Sequence, residues 1–273
     1  MEISAPNSEQ NAVPAGARSE IMRRLDAIAQ LNDVRILFAI ESGSRAWGFH
    51  SPDSDFDARF LYVRSEDSYL SLTQPRDVIE TPIEGLFDVN GWDLGKALRL
   101  MMRGNSVVHE WLASPHIYVA HEEFLAALAP IARAWRSAFA DAHHYHGLLA
   151  TQRGRFIAGR DEVNLKKYFY VVRPALALQW LRERPDPPPM DLPSLLAGVS
   201  LPARALAALD GLREAKRLAS EVGRGPRIAD LDDYIEEQAS WGMRAKGRLP
   251  SPDPDLVERS NELFRATIRN RFV

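Results

Sequence analysis

"VRILFAIESGSRAWGFHSPDSDFDARFLYV" spans Val34 to Val63, and its reading decides the fold. Val34 to Ile40 is an apolar, β-branched run of the kind that forms a buried strand. Gly43 and Gly48 break it. A second strand is expected from Asp55 to Val63, alternating in its first half and continuously apolar at its end. Successive strand residues face opposite ways, so Asp55 and Asp57 project together while Phe56 turns toward the core. Carboxylates held side by side repel, and a cation between them relieves that repulsion. Such hard oxygen ligands suit Mg²⁺ or Mn²⁺, and Mg²⁺ binds through a few carboxylates together with substrate phosphates.

Three familiar loops are excluded. "DSDFD" starts like a calcium loop at Asp53, but Ala58 stands where that loop needs Gly and Arg64 where it needs Glu. Gly43 and Gly48 have P-loop spacing, yet Phe49-His50 replaces Lys-Ser/Thr. The G-x-G-x-x-G of dinucleotide-binding folds is missing from the stretch. What remains is a glycine after a buried strand, opening a short helical turn over Ser44 to Trp47. Such a turn aims backbone N–H groups and the Ser44 hydroxyl at an anion. Trp47 lies inside the turn and is expected to brace it.

The whole chain sets the frame. Its 273 residues suffice for one large domain or two modest ones, and 45% hydrophobic with 26% charged residues is ordinary for a soluble globular protein. No apolar run is long enough to span a membrane, and residues 1–16 lack the basic start and apolar core of a secretory signal. They read as a disordered lead-in. Without cysteine there are no disulfides and no thiolate zinc site, which suits a cytoplasmic protein. A net charge of −3 argues against indiscriminate nucleic-acid binding and leaves room for a local basic groove.

Ile21, Leu25 and Ile28 recur at helical spacing, predicting a helix over Ala17 to Gln30. "EGLFDVNGW" (Glu84 to Trp92) reads as a third strand, and Asp93 as the N-cap of a helix lined by Leu94, Ala97, Leu98 and Met101. Beyond Gly104 the pattern turns helical. It shows a short helix at "SVVHEWL" and one long stripe from Phe124 to Phe139. Further helices are expected over "HHYHGLLATQRGRFIAG", over "NLKKYFYVVRPALALQWLRER" up to the Pro185–Pro189 linker, over Leu192 to Ala219 and over Asp230 to Gln238. The expected class is therefore α+β, with an α/β part over 17–104 and a helical part over 105–273. In the "LKKYFYVVRP" helix, Lys166, Tyr170 and Arg173 fall on one face. Pro174 should kink that helix or mark its first turn, opening the face into a cleft. His143 and His146 are three apart, but no acid stands with them as in H-E-x-x-H, so no zinc site is expected. Arg153, Arg155 and Arg160 form a rim that is phosphate-facing or simply solvated.

Strand, Gly43-Ser44, ten residues, Asp55-x-Asp57 on a strand, then an acid on a later strand: this order resembles the nucleotidyltransferase signature of the DNA polymerase β superfamily. "DVNGWDLGKALRLMMRGNSVVHEWLASP" and "NLKKYFYVVRPALALQWL" extend the likeness, over roughly Ala39 to Trp180, to the RNA-repair (RNA-ligase-associated) polymerase-β-like family. The resemblance implies a small polymerase-β-like α/β domain with a mixed sheet, followed by a mostly helical domain. It implies that the Gly43, Ser44 and Arg45 turn holds a nucleoside triphosphate, ATP foremost, and that Lys166, Lys167, Tyr170 and Arg173 contact it. Asp55 and Asp57 would bind Mg²⁺ or Mn²⁺, completed by a third acid. Asp88, mid-strand, is the choice, with Asp93 as fallback and Glu84 behind it. The implied activity is nucleotidyl transfer to an acceptor hydroxyl, foremost an RNA 3′ end. Adenylylation of a protein or small molecule, and a non-catalytic antitoxin-like module, are the alternatives. Where an apolar pair is usual for the superfamily after the second aspartate, this chain has Ala58-Arg59. Arg59 alternates onto the carboxylate face, placed either to pair with an acid or to bind phosphate.

Overall fold

The computed structural model describes residues 13–218, 223–245 and 253–269. The expected lead-in lies outside the described residues except for 13–16, and Ala15 already opens the first helix, α1 (Ala15–Asn32). Ile21, Leu25 and Ile28 are its buried face, as their spacing requires. Asp33, left-handed at φ 49°, ends the helix by donating its N–H to Ala29 O. Then come β1 (Arg35–Glu41), the one-turn α2 (Gly43–Ala46) and β2 (Phe56–Val63). After them follow α3 (Glu66–Leu70), β3 (Val78–Glu80), β4 (Phe87–Asp93), α4 (Leu94–Met102), α5 (Val107–Leu112) and β5 (Ile117–Ala120).

The five strands form one mixed sheet in the order β3-β4-β2-β1-β5. β2 and β4 are parallel, and the other neighbours are antiparallel. β2 is central and its two faces do different work. Phe56, Ala58, Phe60 and Tyr62 join the core under α1. On the other face Leu61 and Val63 are covered by α4 and α5, while Asp57 and Arg59, four and two positions before Leu61, stay partly open. The change from alternating to apolar sequence along β2 marks where this cover begins.

The chain continues through α6 (Glu122–Trp135), α7 (Ala138–Phe156), β6 (Glu162–Asn164), a 3₁₀ turn (Leu165–Lys167) and α8 (Tyr168–Glu183). It ends with α9 (Leu192–Gly198), α10 (Ala203–Leu218), β7 (Arg224–Pro226), α11 (Ala229–Ala245) and α12 (Pro254–Ile268). β6 and β7 pair as a small separate ribbon. Two expected helices divide. The Phe124–Phe139 stripe breaks at Arg136-Ser137, whose backbones are extended, and Phe139 falls on the next helix, 55% exposed. Arg136 is held there by an ion pair with Asp141 at 2.8 Å, and the Ser106 hydroxyl donates to the same carboxylate at 2.7 Å. The Leu192–Ala219 helix is interrupted at Val199, which is extended, and resumes after Pro202; Ala219 itself lies outside the described residues. Pro174 sits in the second turn of α8, not its first.

The cores cut across the expected division at 104/105. α5, α6 and α12 pack with α4 on the sheet, through Trp111, Phe124, Leu128, Leu256 and Leu263. Trp135 of α6 donates its indole N–H to Ser260 of α12 at 2.8 Å, fastening the late helix there. A separate core joins α7 to α11, with α8 at its centre. Every side chain from Val171 to Trp180 is buried, the mark of a helix enclosed on all sides.

Gly91 of β4 lies opposite Phe60 of β2, and a Cβ on it would stand 2.2 Å from the Phe60 ring. Gly91→Ala is expected to destabilise the fold by about 1–3 kcal/mol through overpacking. A lowered urea midpoint checks this.

Candidate active site

The site begins where β1 runs out. Gly43 has φ +59°, open to glycine at little cost, and a Cβ there would lie 1.8 Å from Asp57 Oδ2. The Asp57 carboxylate thus fills the space a side chain at 43 would take. The turn and the acidic strand are in direct contact. Ser44 is buried in the same turn. Arg45 is buried too, and it clamps the returning loop. Its guanidinium donates to Ser54 O at 2.7 Å and Asp55 O at 3.2 Å, and lies 3.9 Å over the Phe56 ring. Arg45 therefore turns inward, and its contacts are with the loop that carries Asp55.

Parallel pairing of β2 with β4 sets Asp57 beside Asp88. Arg59 lies on the same face and joins them, its NH2 donating to Asp88 Oδ2 at 2.7 Å and to Asp57 Oδ1 at 3.2 Å. Its NH1 donates to the carbonyls of Ala58 at 3.0 Å and Asp88 at 2.9 Å. The Asn90 amide donates to the other Asp88 oxygen, Oδ1. Asp55 is exposed at the mouth of the strand. Burial pushes the Asp57 carboxyl up; Arg59 opposes this, and the Asp88 and Asp55 charges add to it. Among the described residues no three His, Cys, Asp or Glu side chains converge as a ready metal shell, and the His143–His146 group forms none.

The two fallback acids are elsewhere engaged. Asp93 caps α4 through Gly95 N at 2.8 Å and accepts the Tyr69 hydroxyl at 2.6 Å. Glu84 pairs with Arg24 of α1 at 3.1 Å. A different acid supports the site from beneath. Glu41, fully buried, accepts the Asp57 N–H at 2.9 Å and the Tyr118 hydroxyl, and burial pushes its carboxyl up to about 7. Its one signal in the sequence is an acid ending an apolar strand just before the Ser-Gly turn.

From the helical side, Lys166 Nζ lies 4.0 Å from Asp53, in the loop before Asp55. Lys167 Nζ lies 4.8 Å from the Tyr170 ring centre, and Tyr170 meets Trp47 edge-on at 5.9 Å and Phe49 at 5.6 Å. Tyr170 is raised by burial and then by the Asp57 and Asp55 charges. Arg173 is not part of this face. Only 2% exposed, it is tied to Glu110 at 2.8 Å and Met190 O at 2.8 Å, with its guanidinium over Trp47. Trp47 is thus held between Arg173 and Tyr170. Lys216 of α10, not singled out by its sequence neighbourhood, has its Nζ buried without a hydrogen-bond partner, 4.8 Å from the centre of Phe49 and 5.0 Å from that of Phe169. Burial brings it down to about 7.

A family model described as the RNA repair pathway DNA polymerase beta family matches residues 17–266. The chain belongs to this family. It is 37% identical over 254 residues to YcgL of Bacillus subtilis (strain 168), an uncharacterised protein, covering 92% of this chain and 96% of that one. A solved structure, a nucleotidyltransferase-like protein from Exiguobacterium sibiricum 255-15, is similar at a TM-score of 0.26 and 14% identity, over 92% of this chain and 80% of that one. The polymerase-β-like assignment accords with the mixed five-stranded sheet and the helical remainder. No helix among the described residues is long and apolar enough to cross a membrane.

Two expectations follow. Gly43→Ala forces a strained turn and displaces the Asp57 carboxylate, and should cost about 1–3 kcal/mol of stability, read as a lowered urea midpoint. Lys216 holds its proton less tightly folded than unfolded. Between about 7 and the ordinary lysine range the unfolded chain binds more protons, so stability rises with pH in that window and is lost as pH falls toward 7. Urea melts at pH 6.5, 8 and 9.5 should show this slope in the wild type, and Lys216→Met should flatten it.

Proposed function

We propose that the chain is a divalent-metal-dependent nucleotidyltransferase that moves a nucleoside monophosphate from an NTP, ATP foremost, to an acceptor hydroxyl at an RNA 3′ end, acting in RNA repair in the cytoplasm. The observation that carries the proposal is the contact between Gly43 and Asp57. It makes the phosphate-type turn and the acidic strand two walls of one site. The donors fit a hard cation: they are oxygens only and partly shielded, and burial, with the Asp88 and Asp55 charges adding to it, raises Asp57. Asp55 and Asp57 would hold Mg²⁺ or Mn²⁺, which supplies charge neutralisation on phosphate oxygens. Gly43 and Ser44 receive the β- and γ-phosphates, and Lys166 and Lys167 offset their charge from the helical side. Tyr170 lines the wall between them. The acceptor oxygen attacks the α-phosphorus, forming a P–O bond. The α–β bridging P–O bond breaks, pyrophosphate leaves with that electron pair, and Asp88 takes up the hydroxyl proton.

Support for an RNA acceptor comes from the family description and from the cations beside the acids. Arg155 and Lys167 approach the Phe156 ring at 5.2 and 5.0 Å, giving a basic edge with an aromatic floor. The test incubates the protein with each α-labelled NTP and Mg²⁺ or Mn²⁺, against an RNA pool, a protein mixture and small hydroxyl compounds. Labelled RNA with pyrophosphate release is expected, lost on chelation, and reduced about a hundredfold or more by Asp57→Asn. Label on protein or small molecules alone would sink the RNA assignment. Nucleotide binding without pyrophosphate release would sink the enzyme assignment.

A further inference from the structure

Asp88 stands where a third metal ligand is expected, yet both of its oxygens are already used. Arg59 NH2 occupies Oδ2 at 2.7 Å, and the Asn90 amide occupies Oδ1. The same arginine nitrogen reaches Asp57 Oδ1 at 3.2 Å, so a positive charge already bridges the two acids. This is not a surface arginine caught by chance. Two backbone carbonyls, those of Ala58 and Asp88, fix its other terminal nitrogen, and its side chain is largely shielded. A guanidinium keeps its charge at any accessible pH, and its planar fork is preorganised for carboxylates.

We propose that Arg59 takes the place of a second metal ion, so that this site binds a single divalent cation, on Asp55 and Asp57, and Asp88 is withheld from ligation. The inference rests on the nucleotidyltransferase reading above. It accounts for the departure at Ala58-Arg59, where a long cationic side chain points into the acid cluster. A metal bridging Asp57 and Asp88 would have to displace Arg59 from four acceptors and then sit beside its charge. The ion on Asp55 and Asp57 has no such competitor: Asp55 is exposed, and the second oxygen of Asp57, Oδ2, is turned toward the Gly43 turn. Asp88 keeps its place beside Asp57 as a carboxylate outside the metal shell, and the lone pairs that Arg59 and Asn90 leave on its oxygens can take a proton.

The test counts bound ions rather than turnover. Mn²⁺ is titrated into the full chain with a non-hydrolysable α,β-methylene ATP analogue, and free Mn²⁺ is read by electron paramagnetic resonance. One Mn²⁺ per chain beyond the analogue-only control is expected for the wild type. Asp57→Asn should bind none, Asp88→Asn should still bind one, and Arg59→Gln should bind two. Arg59→Lys, which keeps the charge, should remain at one, and it serves where Arg59→Gln fails to fold. Two ions in the wild type, or loss of the ion in Asp88→Asn, overturns the inference and leaves the nucleotidyltransferase reading standing. No Mn²⁺ at all in the wild type removes both.

Discussion

The carboxylate of Asp57 stands where a side chain on residue 43 would have to be, and most of the site follows from that exclusion. It requires glycine at 43 and fixes the spacing between the turn after β1 and the face of β2. It also buries much of the Asp57 carboxylate, which raises the cost of its charge. Glu41 binds the Asp57 backbone from below and Arg59 binds its side chain from alongside. The strand is thus held at three points around one residue. The sheet order then determines the rest, because the register of β4 against β2 sets Asp88 level with Asp57 on the same face.

The parts of this arrangement that were legible in the sequence are those governed by local periodicity. The common facing of Asp55 and Asp57 follows from the two-residue strand repeat, and the turn from two glycines after an apolar run. β1, β2, β4, α1 and α4 are long enough for their repeats to show. β3 and β5, of three and four residues, are too short for any repeat, and only their pairing with longer strands makes them strands. The break at Arg136 was hidden because its cause is Asp141 and Ser106, whose positions depend on tertiary packing. α12 was hidden for the same reason, since its partners α4 and α6 lie more than a hundred residues earlier.

Side-chain roles failed where helical spacing was asked to say more than it can. Period 3.6 places Lys166, Tyr170 and Arg173 on one side but does not say what covers that side. Lys166 is not in the α-helix at all; the chain is still in a 3₁₀ turn there. Arg173 lies one turn deeper, where α8 is enclosed, and its charge is met by Glu110 of α5. Arg173 therefore fastens the helical core to the sheet core, behind the site, instead of lining it. Lys216 shows the converse. Nothing around it in sequence marks it, because the rings of Phe49 and Phe169 that surround it come from other elements.

The acids and the cations of the site have separate origins, and this is physically reasonable. Strands hold Asp57 and Asp88 with a fixed facing and little freedom, suited to groups whose mutual repulsion must be balanced at short range. Lys166 and Lys167 stand on a 3₁₀ turn and Lys216 on α10, all in the part of the chain that packs to a different core. Long ammonium side chains tolerate variation in position that carboxylate ligands do not. A ligand carrying both phosphate and metal is the natural bridge between the two halves, satisfying acids through the ion and lysines through the phosphates. Arg59 is the exception, a cation on the strand itself. On the strand it can serve only the acids beside it, which is why its charge belongs to the internal balance of the carboxylates and not to the lysine side of the cleft.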